Sequence, residues 1–305
     1  MKLFLAGVND QNKLQAVYRA NHPYILSSYW EHQRGFHKEW LHWYKKTRDK
    51  GADFIMDSGL FTMMFGAGSD KTYSEKELLD YTNKYLKDIK AIGYNNYIVE
   101  MDVHKVLGLQ SLKRFRKIFE KEYPLEKTIF VWHVEEKELG FKKLCEKYPY
   151  IAISIPELRI IFKGNRKSLR NAIKNLIKIA NDINPNIKIH LLGCTQISLM
   201  EQKGYYSCDS TSWQSSQMFG TCYYFDNKLK RVKETTDFWK QYALRMEDKI
   251  WRYSDKTKEE KFKKLTAQNY WRNASLCAMA FSKLNQHINN RYYNFEQIKK
   301  LNYES

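Results

Sequence analysis

Eight short runs of β-branched and aromatic residues recur along the first two-thirds of the chain, most of them separated by a helical pattern. They are Leu3–Val8, the Tyr24 segment within Pro23–Trp30, Phe54–Asp57, Tyr97–Asp102, Ile129–His133, Tyr150–Ser154, Ile187–Leu192 and Tyr205–Cys208. Unbroken apolar runs of this length suit strands buried on both faces, which need helices above and below them. Eight such strands alternating with helices predict a (β/α)8 barrel of the TIM type over residues 1–215. The Tyr24 segment has the poorest strand pattern of the eight.

The intervening helices carry their own signals. His37–Lys50 places Trp40 and Tyr44 on one face and stops at Gly51. Ser74 with Glu77 forms a capping box for a helix to Ile92. Gln110–Glu122 reads as a basic helix with Lys113, Arg114, Arg116 and Lys117 outward, and Glu135–Lys147 as a further helix. Lys167–Ile183 is amphipathic, with Leu169, Ile173, Leu176, Ile177 and Ala180 inward. Phe61–Asp70, with small residues at Gly66–Gly68, reads as a mobile loop.

Beyond Trp213 the pattern changes. Thr221–Lys233 looks like a hairpin turning at Asp226-Asn227-Lys228. The remainder to Ser305 is polar, helical and basic, so residues 216–305 are expected to form a hairpin and a helical region packed on the barrel. Trp239, Tyr242, Trp251, Tyr253, Tyr270 and Trp271 lie among its lysines and arginines. They either dock these helices or offer bases a stacking platform.

No apolar run reaches the length of a membrane span. Leu3–Val8 is too short for a signal peptide and lacks a cleavage-type sequence. Five cysteines without a CxxC pair fit buried thiols in a reducing, cytoplasmic setting, and argue against an ordinary structural zinc site. The net charge of +18 points to a polyanionic partner, through counterion release from phosphates, or else to a solvated basic surface.

Three carboxylates end three different runs: Asp57, Asp102 and Asp209. His133 and Ser154 end two more. In a parallel barrel these ends meet at one mouth. Such acids either cap the following helices or act together. The polar group Asp209-Ser210-Thr211-Ser212 should face a pocket or solvent. Paired carboxylates suit glycosidic chemistry, one attacking the anomeric carbon and another protonating the leaving group.

Here the chain resembles the tRNA-guanine transglycosylase superfamily. Asp57-Ser58-Gly59-Leu60-Phe61 is similar to its DSGGF element, and His190-Leu-Leu-Gly193 through Asp209 to its LMGVG…FDC segment. The forms Asp-Ser-Gly-Leu-Phe and Asp-Ser-Thr-Ser-Trp look most like the short phage-encoded branch, associated with placing 7-deazaguanines into DNA. The resemblance implies Asp209 as nucleophile on C1′, Asp57 as general acid/base, and Asp102 as acceptor for the guanine N1–H and 2-amino group. It implies that Ser58 and Gly59 touch base or sugar, and that Leu192 and Gly193 line the base pocket. His133 would hold ribose or phosphate, or orient Asp102.

The family's CxCxxC…H zinc motif has no counterpart, since Cys208 and Cys222 are too far apart and His287 is the one downstream histidine. No cofactor is therefore expected, and DNA is favoured over tRNA. The GLAVGE element is replaced by Ile151–Glu157. The expected partners are a nucleic acid and a 7-deazaguanine base, in the cytoplasm of a bacterial host if the gene is phage-borne. A hydrolytic nucleosidase or DNA glycosylase using the same acids, and a non-catalytic nucleic-acid-binding barrel, are the rival readings.

Overall fold

Each of the eight apolar runs forms a strand, and in the computed structural model the strands close on one another in chain order as a parallel barrel. The structure describes residues 1–65, 72–194, 196–251 and 265–292. The chain runs β1 (Lys2–Leu5), α1 (Gln11–Arg19), β2 (Tyr24–Ser28), α2 (Lys38–Asp49), β3 (Asp53–Asp57), α3 (Leu60–Phe65), α4 (Glu75–Ala91) and β4 (Tyr97–Val99). It continues through α5 (His104–Glu122), β5 (Thr128–Trp132), α6 (Lys137–Lys147), β6 (Tyr150–Ser154), α7 (Ile155–Ile161), α8 (Arg166–Ile183) and β7 (Lys188–Leu192). After α9 (Ile197–Met200), β8 (Ser207–Ser210) and α10 (Ser215–Phe219) come the hairpin β9 (Thr221–Asp226) and β10 (Lys228–Lys233), then α11 (Asp237–Trp251) and α12 (Leu265–Tyr292). The strand interiors, including Phe4, Phe54, Ile98, Phe130, Ile151 and Ile189, are fully buried.

Local chemistry sets the element ends. The Ser74 capping box is present, with Ser74 Oγ and the Glu77 carboxylate exchanging bonds with each other's backbone. The hairpin turns at Asn227, whose φ of 55° lies in the left-handed region that asparagine tolerates better than most residues.

Four expectations change. Leu60–Phe65 is helical, because Leu60 and Met63 bury one face and the Met63 N–H bonds to Gly59 O at 2.9 Å; residues 66–70 of that predicted loop lie outside the described residues. Helix α5 starts at His104 rather than Gln110 and kinks at Gly108 (φ 78°, ψ 173°). Arg116 is not on its exposed side but buried. Strand β8 is shifted toward the C-terminus, so Asp209 sits inside it; Ser210 is fully buried, while Thr211 is exposed.

Two compact units can be described separately. One comprises residues 1–25, 38–52 and the chain from Ser210. In it α12 lies against β1, with Asn285 Oδ1 accepting from Leu3 N–H at 2.9 Å and the Asn289 amide donating to Met1 O at 2.9 Å. Trp40 stacks on Tyr44, and Trp239 is buried with its indole N–H on Asn273 Oδ1 at 2.9 Å. Trp239 therefore docks its helix. Tyr242 and Trp271 are half-buried, while Tyr253 and the side chains of Trp251 and Tyr270 lie outside the described residues. The other unit, residues 26–37 and 53–209, holds the residues of the candidate site. No helix among the described residues is long and apolar enough to cross a membrane.

Candidate active site

Parallel strands deliver their C-terminal ends to one rim, and the rim of the second unit is rich in carboxylates. Asp57 closes β3, Asp102 lies three residues past β4, and Asp209 lies within β8. The Asp57 carboxyl is pushed up to about 6 chiefly by burial. The Gly59 N–H, 3.1 Å from Oδ2, opposes this, and the charges of Asp209 and Asp102 raise it further. Two acids distant in sequence, Asp102 and Asp209, thus both reach Asp57 electrostatically.

Asp209 is 6% exposed and held through Oδ1. That oxygen accepts the Gly193 N–H at 2.7 Å and lies 3.2 Å from His190 Nε2. The other ring nitrogen of His190 is 2.7 Å from Ser207 Oγ, which in turn is 2.6 Å from the Tyr150 hydroxyl. This buried chain crosses β6, β7 and β8, and His190 and Ser207 are register partners in neighbouring strands. Gly193 has a φ of +61°, and a Cβ there would stand 2.9 Å from Pro156 Cγ. Glycine lets the backbone turn its N–H inward to the carboxylate.

Asp102 meets two histidines. His104 Nδ1 lies 2.6 Å and His133 Nε2 2.8 Å from the same oxygen, Oδ1. The two rings stack with centroids 3.5 Å apart and planes 17° from parallel. Burial alone would raise the Asp102 carboxyl, but the two histidines outweigh it and hold it down at about 2. Burial likewise works against a charged His133, yet Asp102 and Glu157 bring it up to about 9. His104 is raised by Asp102 and Glu157 against its burial, and Glu157 is lowered by both histidines and Lys105 against its own. The histidine and carboxylate donors at Asp102, His104, His133, Glu135 and Glu157 are types that hold divalent metals.

The other expected site residues fall around these. Ser58 is buried, its carbonyl accepting the Tyr81 hydroxyl at 2.7 Å. Gly59 (φ +77°) packs where a Cβ would come within 2.5 Å of Trp30 Cβ, so its lack of a side chain serves that contact. Leu192 ends β7, half-buried, in register with Ser154. His133 is buried, with Nε2 2.8 Å from Asp102 Oδ1.

Sequence reasoning missed several partners. Glu100, just past β4, is fully buried and accepts the Val131 N–H at 2.7 Å. Arg116 Nε lies 3.1 Å from Glu100, and its Nη1 2.7 Å from Glu136. Burial lifts the Glu100 carboxyl to about 7 even with the Arg116 charge beside it. His104, Glu157 and His190 were also unassigned. An ionisable residue inside an otherwise apolar strand, as at His190, was the one available signal.

Comparison with protein-family models and with curated proteins gives no match to this chain. The fold is a (β/α)8 barrel with a carboxylate-rich rim.

Proposed function

We propose that the chain is a base-exchange glycosyltransferase, replacing guanine in a polynucleotide, DNA in preference to tRNA, with a 7-deazaguanine. The observation that carries this reading is that Asp57 lies close enough to both Asp209 and Asp102 for their charges to raise its carboxyl. In the proposed reaction Asp209 attacks C1′ through Oδ2, since the bonds that fix it fall on Oδ1. The C1′–N9 bond breaks, its electron pair goes to the purine, and Asp57 supplies the proton to the leaving base. The incoming deazaguanine gives its N9 proton to Asp57 and displaces Asp209 from C1′.

Asp57 suits both roles, because a carboxyl titrating at about 6 is populated in both forms near neutrality. Asp102 suits recognition. Held at about 2, it is an acceptor only, and the N1–H and 2-amino group of guanine form a matching donor pair. The +18 charge supports a phosphate backbone as the larger ligand. A target base inside a duplex has to be flipped out to reach Asp209.

The test is incubation of the full chain with 9-deazaguanine and either DNA or tRNA, followed by a denaturing gel, alongside exchange of labelled guanine. A covalent band and label exchange support the reading. Abasic product without exchange supports hydrolysis, and neither product supports a binding barrel.

A further inference from the structure

We infer that His104, Glu135 and Glu157 form a binding site for a divalent transition ion of the Zn²⁺ class. Two faces of the stacked histidine pair have to be distinguished. On the Asp102 side the nitrogens lie 2.6 and 2.8 Å from one carboxylate oxygen, which are hydrogen-bond distances with no room for an ion between. On the opposite side His104 Nε2 lies 3.6 Å from Glu135 Oε2 and 3.7 Å from Glu157 Oε1. Those separations are too long for hydrogen bonds. Ligand atoms bound at about 2.0–2.2 Å to a tetrahedral ion stand roughly 3.3–3.6 Å apart, close to what is seen.

The His104 ring supplies the second observation. Its side chain is 4% exposed, and Nε2 is sealed from solvent with no hydrogen-bond partner. A buried nitrogen aimed between two carboxylates at this spacing is left unsatisfied unless something bridges them. Asp102 then has the place of a supporting carboxylate. It accepts from Nδ1 of His104, fixing the tautomer that presents the Nε2 lone pair outward. His133, stacked on His104 with Nδ1 3.8 Å from Glu157 Oε2, limits movement of that ring.

Lys105 Nζ lies 2.7 Å from Glu157 Oε1 and 3.6 Å from Glu135 Oε1. Its side chain is half exposed, so an arriving cation can displace it into solvent. One imidazole and two carboxylates leave at least one coordination position for water or a ligand. The site stands on its own geometry and does not require base exchange.

Co²⁺ is the probe, because an imidazole and carboxylate site gives visible d–d absorption without the intense thiolate charge-transfer band that any of the five cysteines would add. Titration of the full chain should yield the d–d bands alone, saturating at one equivalent and lost on adding Zn²⁺, which binds such donors more tightly. Glu135→Gln, at a half-exposed position, should weaken binding at least tenfold. Asp102→Asn should weaken it tenfold to a hundredfold, and Lys105→Met should tighten it. No saturable spectrum, a thiolate band instead, or unchanged affinity in Glu135→Gln would overturn the assignment.

Discussion

The backbone N–H of Gly193 donates to Asp209 Oδ1 at 2.7 Å, joining the residue after β7 to a carboxylate inside β8. That bond gives the glycine a structural reason. Its positive φ aims the N–H inward, while Pro156 occupies the space a side chain would need. Gly193→Ala should therefore cost about 1–3 kcal/mol of stability from the strained backbone and the contact. Chemical denaturation of the two proteins measures this, and an unchanged midpoint would show that the turn relaxes freely.

Asp209→Asn removes the charge but keeps the shape and the acceptor oxygen. Polynucleotide binding should persist while turnover falls by about a thousandfold or more. Filter binding and label exchange, run on the same preparation, separate the two effects.

Asp57 sets a pH dependence. Its carboxyl is raised to about 6, so the folded state favours the protonated form, and the relative stability this gives is lost as pH rises through 6. Asp57→Asn should gain about 1–3 kcal/mol over the wild type above that pH and little near pH 4. The proposed exchange reaction should show a limb near pH 6 in kcat/KM, falling on the alkaline side as the acid form disappears. The limb should be absent in the variant.

Arg116 bridges the buried Glu100 and Glu136, Nε lying 3.1 Å from the first and Nη1 2.7 Å from the second. Truncating it to Ala strands Glu100 in a dry setting, and a loss of about 3–5 kcal/mol is expected. A companion Arg116→Ala/Glu100→Leu chain should recover part of that loss, since the uncompensated carboxylate is then gone. Equilibrium unfolding of both variants provides the comparison.

If the +18 charge engages phosphates, affinity for DNA should fall by about 10³- to 10⁵-fold between roughly 50 and 200 mM salt, as expected for six to ten neutralised phosphates. A flat salt response would assign the lysines to a solvated surface.

Much of the barrel could be read from short-range pattern. Apolar runs bounded by glycine and the Ser74–Glu77 box act within a few residues of chain, where periodicity and capping chemistry operate directly. The same holds for the aspartates as a group, because a strand end in a parallel barrel has a known destination. Arg116 illustrates the limit. Its neighbours Lys113, Arg114 and Lys117 mark a solvated helix face, and Glu100 and Glu136 on other elements turn it inward.

Sequence alone therefore determined the number and order of strands, several of the helices between them, and the approach of Asp57, Asp102 and Asp209 to the strand ends. Tertiary structure decided what each acid meets there. The pairing of Asp102 with two stacked histidines, the grip of Gly193 on Asp209, and the glutamates beyond His104 depend on groups from different elements converging within about 4 Å. Electrostatic and hydrogen-bond energies fall off over such distances in space, so nothing in the linear order of residues records them.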